Sequence, residues 1–399
     1  MDRMNQQLIK SMNKKQIYRI INDCMGISRV KIAGITKLSK TTVSALVDEL
    51  IREGYIIDEG AIESKRQGRK PNSLIVNYQL CFIVVINCHK HNLEIALVNS
   101  AIHIIFCREV PLTDSEDYIA QLKIIFENFI TDNCIGLRIL GVCVVVPGIV
   151  DAEKEKIISL VLSLEDDNHA IQQLREAISD YPLAIFNDSA CLAYAENIFG
   201  AMQKDNGAYI NINEGVGAAL YSDGKMFRGA NGMATQFGHF SIDPKGAACI
   251  CGNRGCLENA IGELALEKRI KENGLTNLFK DKKPILFRDV GDLAKARNEP
   301  VLQMLDQLAL DFSYGLGNLI TLFHPKLIII GGTGRKLGLV FLDNVKRHLK
   351  ATGFQPFVMD VDIQYTKLDE GAVLRGAAKY FLDTHFNFED TTSSKLFLY

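Results

Sequence analysis

Apolar positions along the chain follow a helical period first and a strand period afterwards. Up to Tyr78, Ile17, Ile20 and Ile21 share one face of a first helix that starts after Asn13, and Val43, Leu46, Val47 and Leu50 recur at i, i+3, i+4 and i+7. Ser28 and Ser39 stand where N-caps belong, so the pattern predicts short helices over 29–35 and 40–53, the second closed by Gly54. A strand over 55–57 and a turn over 58–60 follow. From Cys81 the runs CFIVVI, LEIALVN and AIHIIFC predict a strand meander. Then come a helix near 114–131, a buried strand RILGVCVVVPG, a helix near 166–179, strand LAIF and a helix over 188–199. Past Asn206, strands AYININ and GAALYSD, a long helix over 301–323, strand KLIIIGG and a final helix over 371–383 precede a polar stretch at 390–395 that is expected to fray. Strands alternating with helices predict an α/β protein. Its expected parts are a helical head (1–80), a first lobe (81–200, rejoined by the helix at 370–390) and a second lobe (201–369).

Composition refines this picture in a few respects. An apolar content of 47% with 23% charged residues over 399 positions suits two or three soluble globular domains. The longest apolar runs, 327–330 and 142–146, fall far short of the ~20 residues that a membrane span requires. The polar, basic N-terminus lacks a secretory leader, so the expected compartment is the cytoplasm. Cys81, Cys107, Cys143 and Cys191 sit in apolar strands or helices and read as small buried hydrophobes. Net charge is −2, yet residues 1–80 hold 14 Lys and Arg against 8 Asp and Glu, while the remainder holds 31 against 39. A basic head on an acidic body points to a polyanionic partner.

Candidate chemistry concentrates at 231–259, NGMATQFGHFSIDPKGAACICGNRGCLEN, where His239, Cys249, Cys251 and Cys256 share a loop punctuated by Gly and Pro. Three thiolates and an imidazole suit a tetrahedral zinc site, structural rather than catalytic because no ligand position is left open. The alternative is that these cysteines are reduced bystanders or a disulfide. Two Cys separated by one residue bridge poorly, and a cytosolic chain would not keep them oxidised.

In the head, two short helices joined by a tight turn and followed by a strand and turn read as a winged helix-turn-helix. Small and polar Lys40, Thr41, Thr42 and Ser44 are left for a major groove, with Arg29 and Lys37 beside them for phosphates. Lys37 stands at the turn position that favours Gly. Lys65, Arg66, Arg69 and Lys70, within 64–71, form either a strip along phosphates and a minor groove or a solvated hinge. A helical hairpin used for dimerisation is the other reading of this head. Two heads in a homodimer or dimer of dimers would meet an inverted repeat in double-stranded DNA.

The spacing G-H-x9-C-x-C-x4-C-L-E, with Asn187-Asp188-Ser-Ala-Cys-Leu-Ala-Tyr-Ala-Glu196 upstream, resembles the ROK family of sugar kinases and sugar-responsive repressors. SRVKIAGITKLSKTTVSALVDELIREG resembles the DNA-binding segment of its repressor branch, of the xylose-repressor or N-acetylglucosamine-repressor type, and 64–71 resembles the family's G-R-x-P linker. The resemblance runs over nearly the whole chain. It implies a winged helix-turn-helix followed by a two-lobed actin-like, ribonuclease-H-type domain with a zinc loop. It also implies that Asp188, the general-base position of the kinases, hydrogen-bonds a sugar hydroxyl, with Asn187, Gln236, His239 and Glu258 as fellow ligand contacts. Gln236 departs from the family's E-x-G-H; an amide both accepts and donates, so the hydroxyl pattern recognised differs.

Kinase chemistry needs backbone cradles for phosphate. The family's D-x-G-G-T loop should follow CFIVVI, but the chain there reads Asn87-Cys88-His89-Lys90-His91, without a glycine. The second loop, G-T-G-x-G in kinases, is Asn213-Glu214-Gly215-Val216-Gly217, and Glu214 would oppose a nucleotide phosphate. Gly331 and Gly332 persist, either as adenosine-side glycines or as a strand-exit turn. Together these residues predict a repressor of carbohydrate-utilisation genes rather than an enzyme, with a sugar or sugar phosphate in the cleft between lobes releasing operator DNA. A sugar kinase with an appended head, and a sensor answering to a protein partner, are the rival readings.

Overall fold

The structure, a computed structural model, describes residues 2–61, 72–113, 117–151, 153–159, 161, 162, 164, 169–203, 206–230, 232–282, 284–386 and 396–398. The chain divides into two units, 1–191 with 373–399, and 192–372. The head begins the first unit. Helices α1 (Asp2–Asp23), α2 (Arg29–Thr36) and α3 (Lys40–Arg52) bury Ile17, Ile21, Ile32, Val43, Leu46, Val47 and Leu50, the positions that the helical period marks. Ser39 Oγ accepts the Thr42 N–H at 3.0 Å and caps α3. Ser28 precedes α2 without a side-chain cap and is buried instead. Between the helices Lys37 has a left-handed backbone, φ +59°, so the turn demands what Gly adopts most readily.

The wing is longer than its sequence suggests. Strand β1 (Ile56–Ala61) pairs antiparallel with β2 (Asn72–Val76), Ile56 opposite Val76 and Ala61 opposite Asn72. Segment 64–71, expected as a strip along phosphates and a minor groove or as a solvated hinge, falls in sequence between β1 and β2. Its basic residues Lys65, Arg66, Arg69 and Lys70 are outside the described residues.

The first lobe follows at once. Strands β3 (Cys81–Cys88), β4 (Asn92–Asn99) and β5 (Ile104–Pro111) form the antiparallel meander, and β6 (Arg138–Val146) pairs parallel with β3. A short hairpin of β7 (Ile149–Asp151) and β8 (Lys156–Ile158) leads to β9 (Leu183–Asn187), parallel to β6. Helices α4 (Tyr118–Asn133) and α5 (His169–Ala177) cover the sheet with Leu122, Phe126, Phe129 and Leu174. Their expected first turns, 114–116 and 166–168, are outside the described residues. The boundary between units falls inside α6 (Asp188–Phe199).

In the second unit β10 (Gly207–Ile212), β11 (Val216–Ser222) and β12 (Lys225–Met226) repeat the meander. After α7 (Glu258–Ile261), α8 (Glu263–Glu272), α9 (Phe287–Lys295) and α10 (Glu299–Phe323), strand β13 (Leu327–Gly331) pairs parallel with β10. Helices α11 (Gly338–Thr352) and α12 (Gln355–Val358) lead to β14 (Asp362–Tyr365), parallel to β13. Phe237, Phe312 and Phe341 anchor the core between sheet and helices. Each unit is thus a meander extended by parallel strands, the ribonuclease-H-type plan expected from the sequence.

The chain then returns to the first unit. Helix α13 (Ala372–Tyr380) ends in a π-helical turn, Phe381–His385, and β15 (Leu396–Leu398) pairs parallel with β9. This return seats the head. Tyr18 and Tyr55 meet edge-on at 6.2 Å, Phe386 lies 6.3 Å and 6.4 Å from them, and Arg138 covers the Tyr55 ring at 4.3 Å. Buried Lys379 reaches Asp23, the last residue of α1, and Asp383 of the π-turn, each at 3.0 Å. Among the described residues no helix is long and apolar enough to cross a membrane.

Candidate functional site

In the second unit the loop after β12 gathers His239, Cys249, Cys251 and Cys256, whose ligand atoms all lie within 4.8 Å of one another and could hold a metal ion. The backbone does the gathering. Ser241 bridges to Cys256 and Ala248 to Arg254, and the Cys249 N–H donates to the Asn253 carbonyl at 2.8 Å. The chain reverses through Gly252 and Gly255, φ +90° and +63°, and a Cβ on Gly255 would strike the Asp243 carbonyl. His239 presents Nδ1, 3.7 Å from Cys249 Sγ, and the sulfurs of Cys251 and Cys256 are 3.6 Å apart. Cys249 and Cys256 are buried while Cys251 is exposed.

Two residues past Cys256, Glu258 is fixed because its Oε2 accepts the Val216 N–H at 2.9 Å. Gly215 and Gly238 make room for it: a Cβ on either would come within 2.6 Å and 3.2 Å of that oxygen. Gln236 is exposed and donates to the Met233 carbonyl at 3.3 Å.

In the first unit Asn187 and Asp188 mark where β9 becomes α6. Asn187 is committed to structure: its Oδ1 accepts the Ala190 N–H at 2.9 Å and its amide donates to the Gly148 carbonyl at 2.6 Å. Half-buried Asp188 accepts from the Ser189 N–H at 2.7 Å. Burial pushes the Asp188 carboxyl above its ordinary range, against a smaller downward pull from the Ser189 hydrogen bonds. A carboxyl that holds its proton more tightly when folded loses stability as pH rises through that interval. Asp188→Asn keeps the acceptor for Ser189 and is therefore expected to raise the melting temperature at about pH 7 more than at about pH 4. Calorimetric scans at both pH values check this; a lower melting temperature at neutral pH would contradict the assignment.

The phosphate-loop positions are filled by side chains. Buried Asn87, at the end of β3, donates to Glu94 Oε2 at 3.0 Å and to His89 Nε2 at 2.9 Å, closing the hairpin into β4. In the second unit Glu214 Oε2 is buried with no hydrogen-bond partner among the described residues. Burial, with an added push from Glu214, holds the nearby Glu263 carboxyl above its usual range. Gly331 and Gly332 have structural reasons: a Cβ on the first would collide with the Tyr209 hydroxyl, and the second has φ +73°.

On the head, Lys37, Lys40, Thr41 and Thr42 are exposed at the N-terminal end of α3 and Ser44 is half-buried. Ser39 Oγ lies 2.8 Å from the hydroxyls of both Thr41 and Thr42. Arg29 is occupied, with Nη1 2.7 Å from Asp48 and Nη2 3.8 Å from Asp58, so it ties α2 to α3 and to the wing.

A winged helix-turn-helix ahead of two ribonuclease-H-type units, the second with a Cys₃His knuckle, defines the class: a DNA-binding-type head on a body shared with sugar kinases. Residues 13–57 match the winged helix-turn-helix DNA-binding family, residues 84–384 match the ROK family, and the chain belongs to the ROK family. It is 30% identical to the xylose repressor of Caldicellulosiruptor bescii, over 97% of this chain and 99% of that protein. A solved ROK family transcriptional regulator, a homologue of the E. coli MLC protein, superposes with a TM-score of 0.80 at 22% identity, covering 94% of this chain and 97% of its own. The ROK hexokinase of Thermus thermophilus shares the fold with a TM-score of 0.59 at 22% identity, over 74% of this chain and 96% of its own.

Proposed function

We propose that this chain is a cytoplasmic, sugar-responsive transcriptional repressor that binds double-stranded DNA as a homodimer or dimer of dimers, and that a sugar or sugar phosphate lowers its affinity for DNA. The carrying observation is the exposed, hydroxyl-rich first turn of α3 in the same chain as a phosphate loop closed by Asn87 and His89. The first suits base edges; the second offers no backbone cradle for a nucleotide, so no phosphoryl transfer is proposed. Lys40, Thr41, Thr42 and Ser44 read bases, and Lys37 with Lys65, Arg66, Arg69 and Lys70 meets phosphates. Asn187, Asp188, Gln236, His239 and Glu258 are the residues proposed to contact the effector.

His239, Cys249, Cys251 and Cys256 hold a structural zinc. Zn–S bonds of about 2.3 Å at tetrahedral angles set neighbouring ligand atoms roughly 3.6–3.8 Å apart, which the 3.6 Å and 3.7 Å separations fit. The ion supplies a cross-link and no reaction step.

In vitro selection followed by a gel-shift salt titration tests the DNA reading. The enriched site should be an inverted repeat with half-sites separated by whole helical turns. Ser44→Ala should cost about 1–3 kcal/mol on that site alone, whereas Lys37→Ala should weaken all sequences and reduce the slope of log K against log salt by about one. If selection enriches no motif, the repressor reading fails.

A further inference from the structure

The ends of three parallel strands meet at one edge of the first-unit sheet. Asn87 on β3 is opposite Val145 on β6, and Val146 is opposite Asn187 on β9, so the residues just past β3 and β9 flank the same strand end. In α/β sheets, the carboxyl ends of parallel strands are where ligands bind. Asp188 follows β9 at this edge, and His89 follows β3.

His89 is exposed, yet it is held at three points. Its N–H donates to the Asn92 carbonyl at 3.1 Å, its own carbonyl accepts from the Tyr118 hydroxyl at 3.0 Å, and its Nε2 meets the Asn87 amide at 2.9 Å. The amide group fixes the ring's tautomer. Glu94 offers only acceptor oxygens, so the Asn87 atom at 3.0 Å from it is the NH₂ group. That same NH₂ faces His89 Nε2, which must then accept, leaving the ring proton on Nδ1. Asn87 is only 5% exposed, so this orientation is enforced from inside the sheet. An exposed imidazole with both its backbone and its tautomer fixed is preorganised to donate from one atom.

We infer that His89 is an effector-binding residue: its Nδ1–H donates to a sugar oxygen beside the hydroxyl that Asp188 accepts from. This rests on the sugar-effector reading and adds a contact to it. A donor and an acceptor at the ends of the two strands that flank β6 select a pair of oxygens on one sugar. The same loop position that cradles phosphate in kinases would thus discriminate the sugar.

The test uses the full-length chain and a panel of pentoses and hexoses, free and phosphorylated, headed by D-xylose, read as shifts in melting temperature. Taking the sugar that shifts wild type most, His89→Ala should weaken it about three- to tenfold, the worth of one neutral hydrogen bond. His89→Asn, whose amide NH₂ occupies the place of Nδ1–H, should recover most of that loss. Lys90→Ala, in the same loop but outside the hydrogen-bonded set, should match wild type, and Asp188→Ala should abolish the shift. If Asp188→Ala abolishes the shift while His89→Ala binds as wild type, the His89 assignment is overturned and the effector reading stands. Equal losses in His89→Ala and His89→Asn also overturn it, because the donor would not be the reason. If wild type responds to no sugar in the panel, the effector reading falls and takes this inference with it.

Discussion

Cys251→Ser is expected to strip the metal from the full-length chain and to lower its melting temperature far more than an ordinary exposed substitution does. The size of the effect follows from position. Cys251 is exposed, so the change removes little buried area, and a surface change of this kind ordinarily shifts stability within about 0.5 kcal/mol. A structural zinc, by contrast, contributes folding free energy of about 10 kcal/mol or more in isolated zinc fingers, so losing one ligand should cost several-fold more than the surface value. Apolar burial adds little at the turn that carries Cys251: Ile250, between two of the thiols, is 68% exposed. Metal analysis should fall from about one ion per chain to near zero. Unchanged metal content and an unchanged melting curve would remove zinc from the account.

Lys379→Ala is expected to destabilise the first unit by about 3–5 kcal/mol, the usual cost of leaving a buried charge without its partner. Asp383, 7% exposed, would lose the buried ammonium 3.0 Å away and keep the more exposed Arg19, whose Nε is 3.6 Å away. Lys379→Met separates charge from packing, since it keeps most of the buried stem. Adding Asp383→Leu to Lys379→Met should recover much of the loss, because replacing both members of a buried pair is often near neutral. Chemical denaturation of the two single variants and the double variant completes the cycle. Additive losses, with no recovery in the double, would mean that the pair is not coupled. A second signature belongs to the head: Asp23 closes α1, so DNA affinity should fall in Lys379→Met even where the fold survives.

Much of this architecture is written in short-range pattern. The i, i+3, i+4, i+7 positions of α3 are those that the helix buries, and the x9, x1 and x4 spacings bring four ligands into one knuckle. Both are local, because one helix or one loop completes them. What stays hidden depends on pairing across distance. β2 follows a basic, Pro-ended stretch that resembles a linker, and only its register with β1 makes it a wing. β15 comes after a polar run and has no pattern until β9 lies beside it. Ser28 has the composition of a cap but is buried with no side-chain cap bond. Asn87 and His89 look like a missing glycine loop in one dimension. Their bonds to each other and to Glu94 exist only once β3 and β4 are in register.

The return of the chain to the first unit has a consequence for synthesis. A ribosome delivers the head and the meander first, then the whole of 192–372, and only afterwards the segment that holds Lys379, Asp383 and Phe386. Domains fold as they emerge, N-terminal parts first. For all the time that the second unit takes to be made, α1 has no Lys379 to close on, Tyr18 and Tyr55 lack Phe386, and the free edge of β9 waits for residues 396–398. A nascent chain therefore carries a formed reading helix on an unfastened mount. Stalling translation within 192–372 should yield ribosome-bound heads that proteases cut between residues 76 and 81 faster than they cut the finished protein.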